Sequence, residues 1–439
     1  MGGNSYFKKN CFIYLFMIAF QTKFKGSCQF MDIKEILKKI KGTEVPKVNK
    51  VTVAYSGGLD SSLAIELLRR KYRAKEILPI TIDVGQGEEE VLESRRKAKV
   101  LKIKPLFFDL RKEFTEIWIA RAIQANSDYL GYPVSTSMTR QIVARKVAEV
   151  ALAEGCDAIL EGSSGKGNDQ YRMHNVFKMF APNLKILVPV RDFDLTRLEE
   201  EQLCKEWGVP VTEMITGGDD KTMWCRSIAS GAIDLNQPLP DDIWMWYRPP
   251  EKAPDRPAFI TLEFKKGIPV KLNGKRRTLG EIIPDLNVVG GSHSIGRIDM
   301  FEDGIMDLKS REIYEAPGAT IILKLHRDLE QFCLTKDEIQ FKRGVDQKWA
   351  YLIYHGMAYH PLRYNLDAFI ETSQKVVNGK YKIKLYKGNM EIVHRESKTS
   401  LFSPEIRSIK ATGFDQRRCA DAAFIRGLPY EILAKRKMQ

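Results

Sequence analysis

Between about residue 50 and residue 209 the chain alternates short apolar runs with stretches whose apolar residues recur at helical spacing. This alternation constrains the fold more than any other feature. Val51–Ala54, Ile77–Ile82, Pro105–Phe108, Ala158–Leu160 and Ile186–Val188 are apolar on both faces, as strands covered on both sides are. Asp60–Lys71, Glu88–Leu101, Arg111–Asn126, Met138–Glu154 and Leu195–Trp207 read as the intervening helices. Strand–helix alternation predicts an α/β fold with a doubly wound parallel sheet, whose ligands sit at the carboxyl ends of its strands.

The pattern changes near Val209. A connector, Leu235 to Pro257, holds six prolines and the run Trp244-Met245-Trp246-Tyr247. Short strands follow at Phe259–Phe264, Val270–Leu272 (with an Asn273-Gly274 turn), Thr320–Leu325 and Tyr381–Tyr386, mixed with helices such as Leu366–Val377. The expected organisation is an α/β domain over 31–209, an α+β domain over 210–398, and a C-terminal arm over 399–439 ending in a helix from Pro429 to Met438.

Residues 1–30 are expected to be a non-native or disordered extension. The ten apolar residues Cys11–Phe20, preceded by Lys8 and Lys9, superficially resemble a signal peptide, but no small-x-small cleavage pattern follows and the run is too short to span a bilayer. Globular patterning begins at Met31, the expected translation start. Detection of the upstream segment in the native protein by mass spectrometry would overturn this.

An apolar fraction of 44% and a charged fraction of 29% are those of a soluble globular protein. The seven cysteines form no CxxC, so neither a disulfide framework nor a zinc site is expected. The net charge is +14, and the four lysines of the first thirty residues leave +10 for the rest. Such a surplus suits nucleic acid, an anion-gathering pocket or a merely basic surface. No dense basic run interleaved with aromatics decides for the first.

Chemistry concentrates in Ala54-Tyr55-Ser56-Gly57-Gly58-Leu59-Asp60-Ser61-Ser62, which follows the first strand and opens a helix. Two glycines permit a tight turn with inward amides, the serines add hydroxyls, and the helix offers the positive end of its dipole. An ordinary strand-to-helix turn needs only one cap, Asp60 or Ser61. This loop carries more donors than that, at the place where such folds bind ligands. A Walker A loop is excluded, because Gly165-Lys166 is followed by Gly167.

A second loop, Gly162-Ser163-Ser164-Gly165-Lys166-Gly167-Asn168-Asp169-Gln170-Tyr171-Arg172, follows the strand ending at Leu160. Its glycines allow close approach of backbone to ligand. Lys166 and Arg172 can meet carboxylate or phosphate, and Asn168 beside Asp169 suits a zwitterionic amino acid. Taken alone, it is equally a polar loop before a capped helix.

Ser-Gly-Gly-x-Asp-Ser after the first strand resembles the signature of the N-type ATP pyrophosphatases, within the adenine nucleotide alpha hydrolase-like superfamily. With Gly-x-x-Gly-Lys-Gly-Asn-Asp-Gln, Leu308–Pro317 and Lys384–Asn389 in the same order, the chain after residue 31 resembles the argininosuccinate synthases. The resemblance implies a cytoplasmic, homotetrameric C–N ligase of arginine biosynthesis that uses ATP and Mg2+, joins citrulline to aspartate through a citrullyl-adenylate, and binds no nucleic acid, membrane or resident metal. It assigns 31–209 to nucleotide binding, 210–398 to synthetase function and 399–439 to oligomerisation. It places Ala54, Tyr55, Ser56, Gly57, Gly58, Leu59, Asp60, Ser61, Ser62, Ile82 and Gly162 at ATP, with Asp60 and Ser61 catalytic. Ser164, Asn168 and Asp169 would bind aspartate, and Tyr132, Ser137, Asn168, Arg172, Ser227, Glu302 and Tyr314 citrulline. Taken singly, Glu302 and Tyr314 would be a surface acid and a packed aromatic, and Lys309 and Arg311 a solvated pair.

Three positions depart from the family's pattern: Glu161 stands where a His is usual, Gly218 where a Ser is usual, and Ala229 where a Glu is usual. They leave the acceptor substrate open, so the alternatives are an adenylating ligase with another acceptor and a nucleotide-binding non-enzymatic paralogue. A tRNA-modifying relative is a further rival. Such enzymes commonly need reactive cysteine pairs or an added RNA-binding module, and neither is visible.

Overall fold

The computed structural model describes residues 32–211, 220–231, 235–407, 410 and 413–437. The expected extension 1–30 and Gly218 lie outside them, as does the side chain of Ala229. The described residues fall into two compact units: those of 32–83, 87–109 and 140–211 in one, and those of 84–86, 110–139 and 220–437 in the other.

The first unit is a parallel sheet of β1 (Lys50–Ala54), β2 (Glu76–Asp83), β3 (Leu106–Asp109), β4 (Ala158–Leu160) and β5 (Lys185–Leu187), in the order β3-β2-β1-β4-β5. All pairings are parallel, with Ala54 beside Ile80 and Val53 beside Leu160. This is the doubly wound sheet the alternation predicts. Its direction of winding reverses between β1 and β4, and such folds open a ligand crevice at that reversal.

Helix boundaries follow local chemistry. The helix Arg197–Trp207 opens with a capping box of Thr196 and Glu199 and closes on Gly208 in the left-handed region (φ 66°). The helix Glu88–Val100 carries Glu88, Glu89 and Glu90 in its first turn, against the dipole's positive end. The helix after β1, Leu59–Leu67, continues into a π turn, Leu68–Tyr72. Leu63, Ala64, Ile65, Leu67 and Leu68 pack with Val51, Val53, Leu160 and Leu203 into the unit's core.

The second unit contains β6 (Asp220–Lys221), β7 (Arg226–Gly231), β8 (Ala258–Lys265), β9 (Ile268–Leu272), β10 (Lys275–Arg276), β11 (Arg297–Asp303), β12 (Lys309–Glu315), β13 (Gly379–Tyr386) and β14 (Asn389–Glu396). They form two antiparallel sheets, β10-β9-β8-β13-β14 and β11-β12-β7-β6. Asn273 (φ 49°) and Gly274 (φ 80°) make the expected turn, both in the left-handed region such a hairpin requires.

Two expectations fail here. Thr320–Leu325 is not a strand but lies inside the helix Pro317–Cys333. Its β-branched residues mimic a strand over six positions. Over seventeen, Ile321, Ile322, Leu325 and Leu329 form one buried helical stripe, and Pro317 at the first position fixes the start. Nor does the last helix begin at Pro429. It runs Cys419–Lys437 with Pro429 inside. The ten residues upstream, rich in Ala and long side chains, carry the helix through the one amide that proline lacks. No described helix is long and apolar enough to cross a membrane.

Candidate functional site

In the first unit the turn after β1 stands at the winding reversal. Gly57 has φ +80°, and a Cβ there would meet Ser94 Cα at 2.7 Å, so only glycine fits. The Lys97 ammonium, buried, donates to Gly57 O at 2.8 Å, and its burial lowers its pKa. Gly58 N donates to Ser56 Oγ at 3.2 Å, and Ser61 Oγ to Gly58 O at 3.2 Å, while Ser56 Oγ and Ser61 Oγ lie 3.2 Å apart. Gly58 caps the helix without a side chain, so no side chain covers its first amides. The base is rigid: Tyr55 N donates to Ile80 O at 2.8 Å and Thr81 Oγ1 to Tyr55 O at 2.9 Å. Ile82, buried, lies near the end of β2.

Asp60 follows on the helix and accepts from Arg197 Nη1 at 2.8 Å. Glu200, buried beside it, has its carboxyl pushed up to about 9, first by burial and then by the Asp60 charge. It is therefore neutral at physiological pH.

The loop after β4 meets this turn backbone to backbone. A Cβ on Gly162 would stand 3.2 Å from Ser61 N and 3.3 Å from Asp60 C. Gln170 Nε2 donates to Gly165 O at 2.6 Å, and the helix Asp169–Phe180 starts from Asn168. Asp169 accepts from Arg140 Nε at 2.7 Å and Arg172 Nη1 at 2.9 Å. Burial raises its carboxyl, but the two guanidiniums outweigh that and hold it below the usual carboxylate range. The structure thus gathers the first-unit candidates, Ala54 to Ser62, Ile82, Gly162, Ser164, Asn168, Asp169 and Arg172, at the carboxyl ends of β1, β2 and β4.

In the second unit, Tyr132, Ser227, Glu302 and Tyr314 belong to one cluster. Tyr314 lies across from Ser227 in the β12–β7 register. Its hydroxyl donates to Glu302 Oε2 at 3.1 Å, and its ring stacks on Tyr132 at 4.3 Å between centroids. Burial drives the Tyr314 hydroxyl pKa well above its ordinary value, which keeps it a donor. Tyr132 Oη accepts from the amides of Ser135 (2.9 Å) and Thr136 (3.0 Å), and so caps the helix that carries Ser137. Glu302 is only 3% exposed and not a surface acid.

Several contributors carry no sequence signal of their own. Tyr354 donates to Glu302 Oε1 and stacks on Tyr129 at 3.8 Å. Arg197, Glu200, Lys97 and Arg140 are ordinary helix residues until the fold is known. Glu315 forms a buried pair with Arg226 (2.7 Å) and accepts the amides of Met245, Trp246 and Tyr247, which anchors the backbone of the connector. Arg311 pairs with Asp299 at 2.7 Å and Lys309 with Asp303 at 2.5 Å, as charge pairs.

Comparison with known proteins fits both halves. Residues 50–210 match the family described as the arginosuccinate synthase N-terminal HUP domain, and residues 218–433 match its C-terminal domain. The argininosuccinate synthase of Methanopyrus kandleri is 40% identical over 394 residues, 89% of this chain and 100% of that protein. That of Methanocaldococcus jannaschii is 42% identical over 88% of this chain and 98% of its own length. That of Archaeoglobus fulgidus is 41% identical over 86% and 97%. Since the turn at the winding reversal falls within the first matched region and the Glu302–Tyr314 cluster within the second, the chain belongs to the argininosuccinate synthase family.

Proposed function

We propose that this chain is the C–N ligase that condenses citrulline with aspartate at the expense of ATP, in arginine biosynthesis. The observation that carries the reading is the donor-rich Ser56–Ser62 turn at the winding reversal, built for a polyphosphate. There the outer phosphates of ATP are held, with the Ile82 backbone and Gly162 at the nucleotide. The citrulline ureido oxygen attacks the α-phosphorus, forming the C–O–P link of citrullyl-adenylate as the bond to pyrophosphate breaks. The aspartate amine then forms the C–N bond and AMP departs with the oxygen. A ureido oxygen leaves poorly and AMP leaves well, so adenylation solves the leaving-group problem. The protein supplies position and charge.

In this reading Asp60 and Ser61 are the catalytic residues of the turn. Ser164, Asn168 and Asp169 take aspartate. Tyr132, Ser137, Ser227 and Tyr314 surround citrulline, with Asn168 shared. Glu302 meets its α-ammonium and Arg172 its α-carboxylate. Mg2+ enters as the companion of the ATP phosphates. The functional division into 31–209, 210–398 and 399–439, a cytoplasmic location and a homotetramer joined through the C-terminal arm complete the proposal.

Pyrophosphate release tests it: turnover should require both citrulline and aspartate. Turnover with a different amino acid alone would replace the assignment with that of an adenylating ligase for another acceptor, the second reading that buried Glu161 keeps in view.

A further inference from the structure

Glu161 directly follows β4 and is 1% exposed. Its amide donates to Leu187 O at 3.1 Å, which fixes it to β5. Oε2 accepts from the Ser163 amide at 3.3 Å and contacts the Ser163 hydroxyl. Oε1 is buried with no hydrogen-bond partner among the described residues. A native fold rarely leaves a buried carboxyl oxygen so, unless a ligand or proton completes it.

Its electrostatic surroundings are mixed. Asp169 faces it from the helix Asp169–Phe180 and Arg191 from the helix Pro189–Asp192. On β5 its neighbour is the uncharged Leu187. On the side of β1 the next residue, Gly162, touches Asp60 and Ser61 of the phosphate turn. Burial dominates and pushes the carboxyl up to about 7, against the Ser163 hydrogen bonds and Arg191, which lower it, while Asp169 raises it further.

We propose that Glu161 is the proton-binding group of the nucleotide site: a polyphosphate entering the Ser56–Ser62 turn is bound together with a proton taken up on the Glu161 carboxyl. The proposal rests on the nucleotide reading above. Glu161 lies one residue from the backbone contact between the two loops, so anionic phosphates in the turn act on it as like charges and strengthen its hold on a proton. By linkage, nucleotide affinity then falls as pH rises past the range in which the free carboxyl titrates. The proton comes from solvent, and it gives the carboxyl an O–H that can point at an anion.

Calorimetry on the full chain decides. A non-hydrolysable ATP analogue is titrated at pH 8 in two buffers of different ionisation enthalpy, with the nucleotide phosphates fully ionised. Glu200 already holds its proton at that pH and contributes little. The wild type should take up a substantial fraction of one proton per nucleotide, and its affinity should fall by up to tenfold per pH unit above about 7. Glu161→Gln should take up none and bind with flat pH dependence. Equal heats in both buffers for the wild type would overturn the proposal while leaving nucleotide binding intact, and so would unchanged uptake in Glu161→Gln. Should Glu161→Gln not fold, the wild-type buffer pair still decides. No binding heat from the wild type in either buffer would sink the nucleotide reading itself.

Discussion

Arg197 reaches from its own helix to donate to Asp60 at 2.8 Å, and so joins the helix Arg197–Trp207 to the first turn of the helix after β1. The pair is 43% and 35% exposed, so its contribution to stability is small, under about 1 kcal/mol. Its consequence is positional: it holds the Asp60 carboxylate in place and balances its charge in the turn proposed for the phosphates. Arg197→Gln should therefore unfold in urea within about 1 kcal/mol of wild type, yet release pyrophosphate at least about tenfold more slowly, given what misplaced charge costs such sites. Unaltered turnover would remove Arg197 from the phosphate site.

Gly57 offers a sharper test, because its φ of +80° and the 2.7 Å approach of a Cβ to Ser94 Cα leave no room for a side chain. Gly57→Ala should abolish measurable nucleotide binding. Gly155, also in the left-handed region (φ +65°) but with nothing within 4 Å, is the control. Gly155→Ala should cost about 1 kcal/mol in stability, the φ penalty alone, and leave nucleotide affinity unchanged. Similar affinity losses in both variants would mean that strain rather than the turn's geometry is being measured.

The parallel sheet was legible because both-face-apolar strands alternating with amphipathic helices admit few other arrangements, and the Ser56–Ser61 turn was legible because glycine and serine are costly to place there without a purpose. The second unit was harder. Thr320–Leu325 reads as a strand because its five β-branched or apolar residues fit either period, and only its seventeen-residue setting decides. The polar supports of the site were hidden for another reason. Arg140, Arg197 and Tyr354 are remote in sequence from the groups they hold, and a chain met alone carries no mark of which distant partner a helix residue will find.

Tyr354 bears on the other cluster. With Tyr314 it grips both oxygens of Glu302, and Tyr354→Phe removes one donor while keeping the ring stacked on Tyr129. A hydrogen bond to a charged group is worth about 1.5–3 kcal/mol. The KM for citrulline should rise by about tenfold or more, while the KM for ATP stays within a factor of about two. An equal rise in both would point to a general loosening of the second unit.

Glu315 is a structural counterpart. It accepts from Arg226 and from three successive amides of the connector while fully buried. Removing one partner of such a pair leaves a buried charge uncompensated, at a cost of about 3–5 kcal/mol. Glu315→Gln should lower the urea midpoint accordingly. A loss below about 1 kcal/mol would mean the connector finds other acceptors.

Glu161 also makes a stability prediction independent of any ligand. Its carboxyl titrates near 7 in the folded chain, against an ordinary value of 4.5. Below pH 4.5 both folded and unfolded chains hold the proton, and the group contributes nothing. Between about 4.5 and 7 the unfolded chain releases it while the folded chain keeps it, so stability falls as pH rises, and above about 7 the loss is complete. The shift corresponds to about 3 kcal/mol. Glu161→Gln, which cannot ionise, escapes that loss, so its stability relative to wild type should rise by about 1–3 kcal/mol on going from pH 4.5 to pH 8. Urea unfolding at the two pH values measures the difference directly, and a relative stability that stays the same at both would show that the wild-type carboxyl is not held neutral by burial.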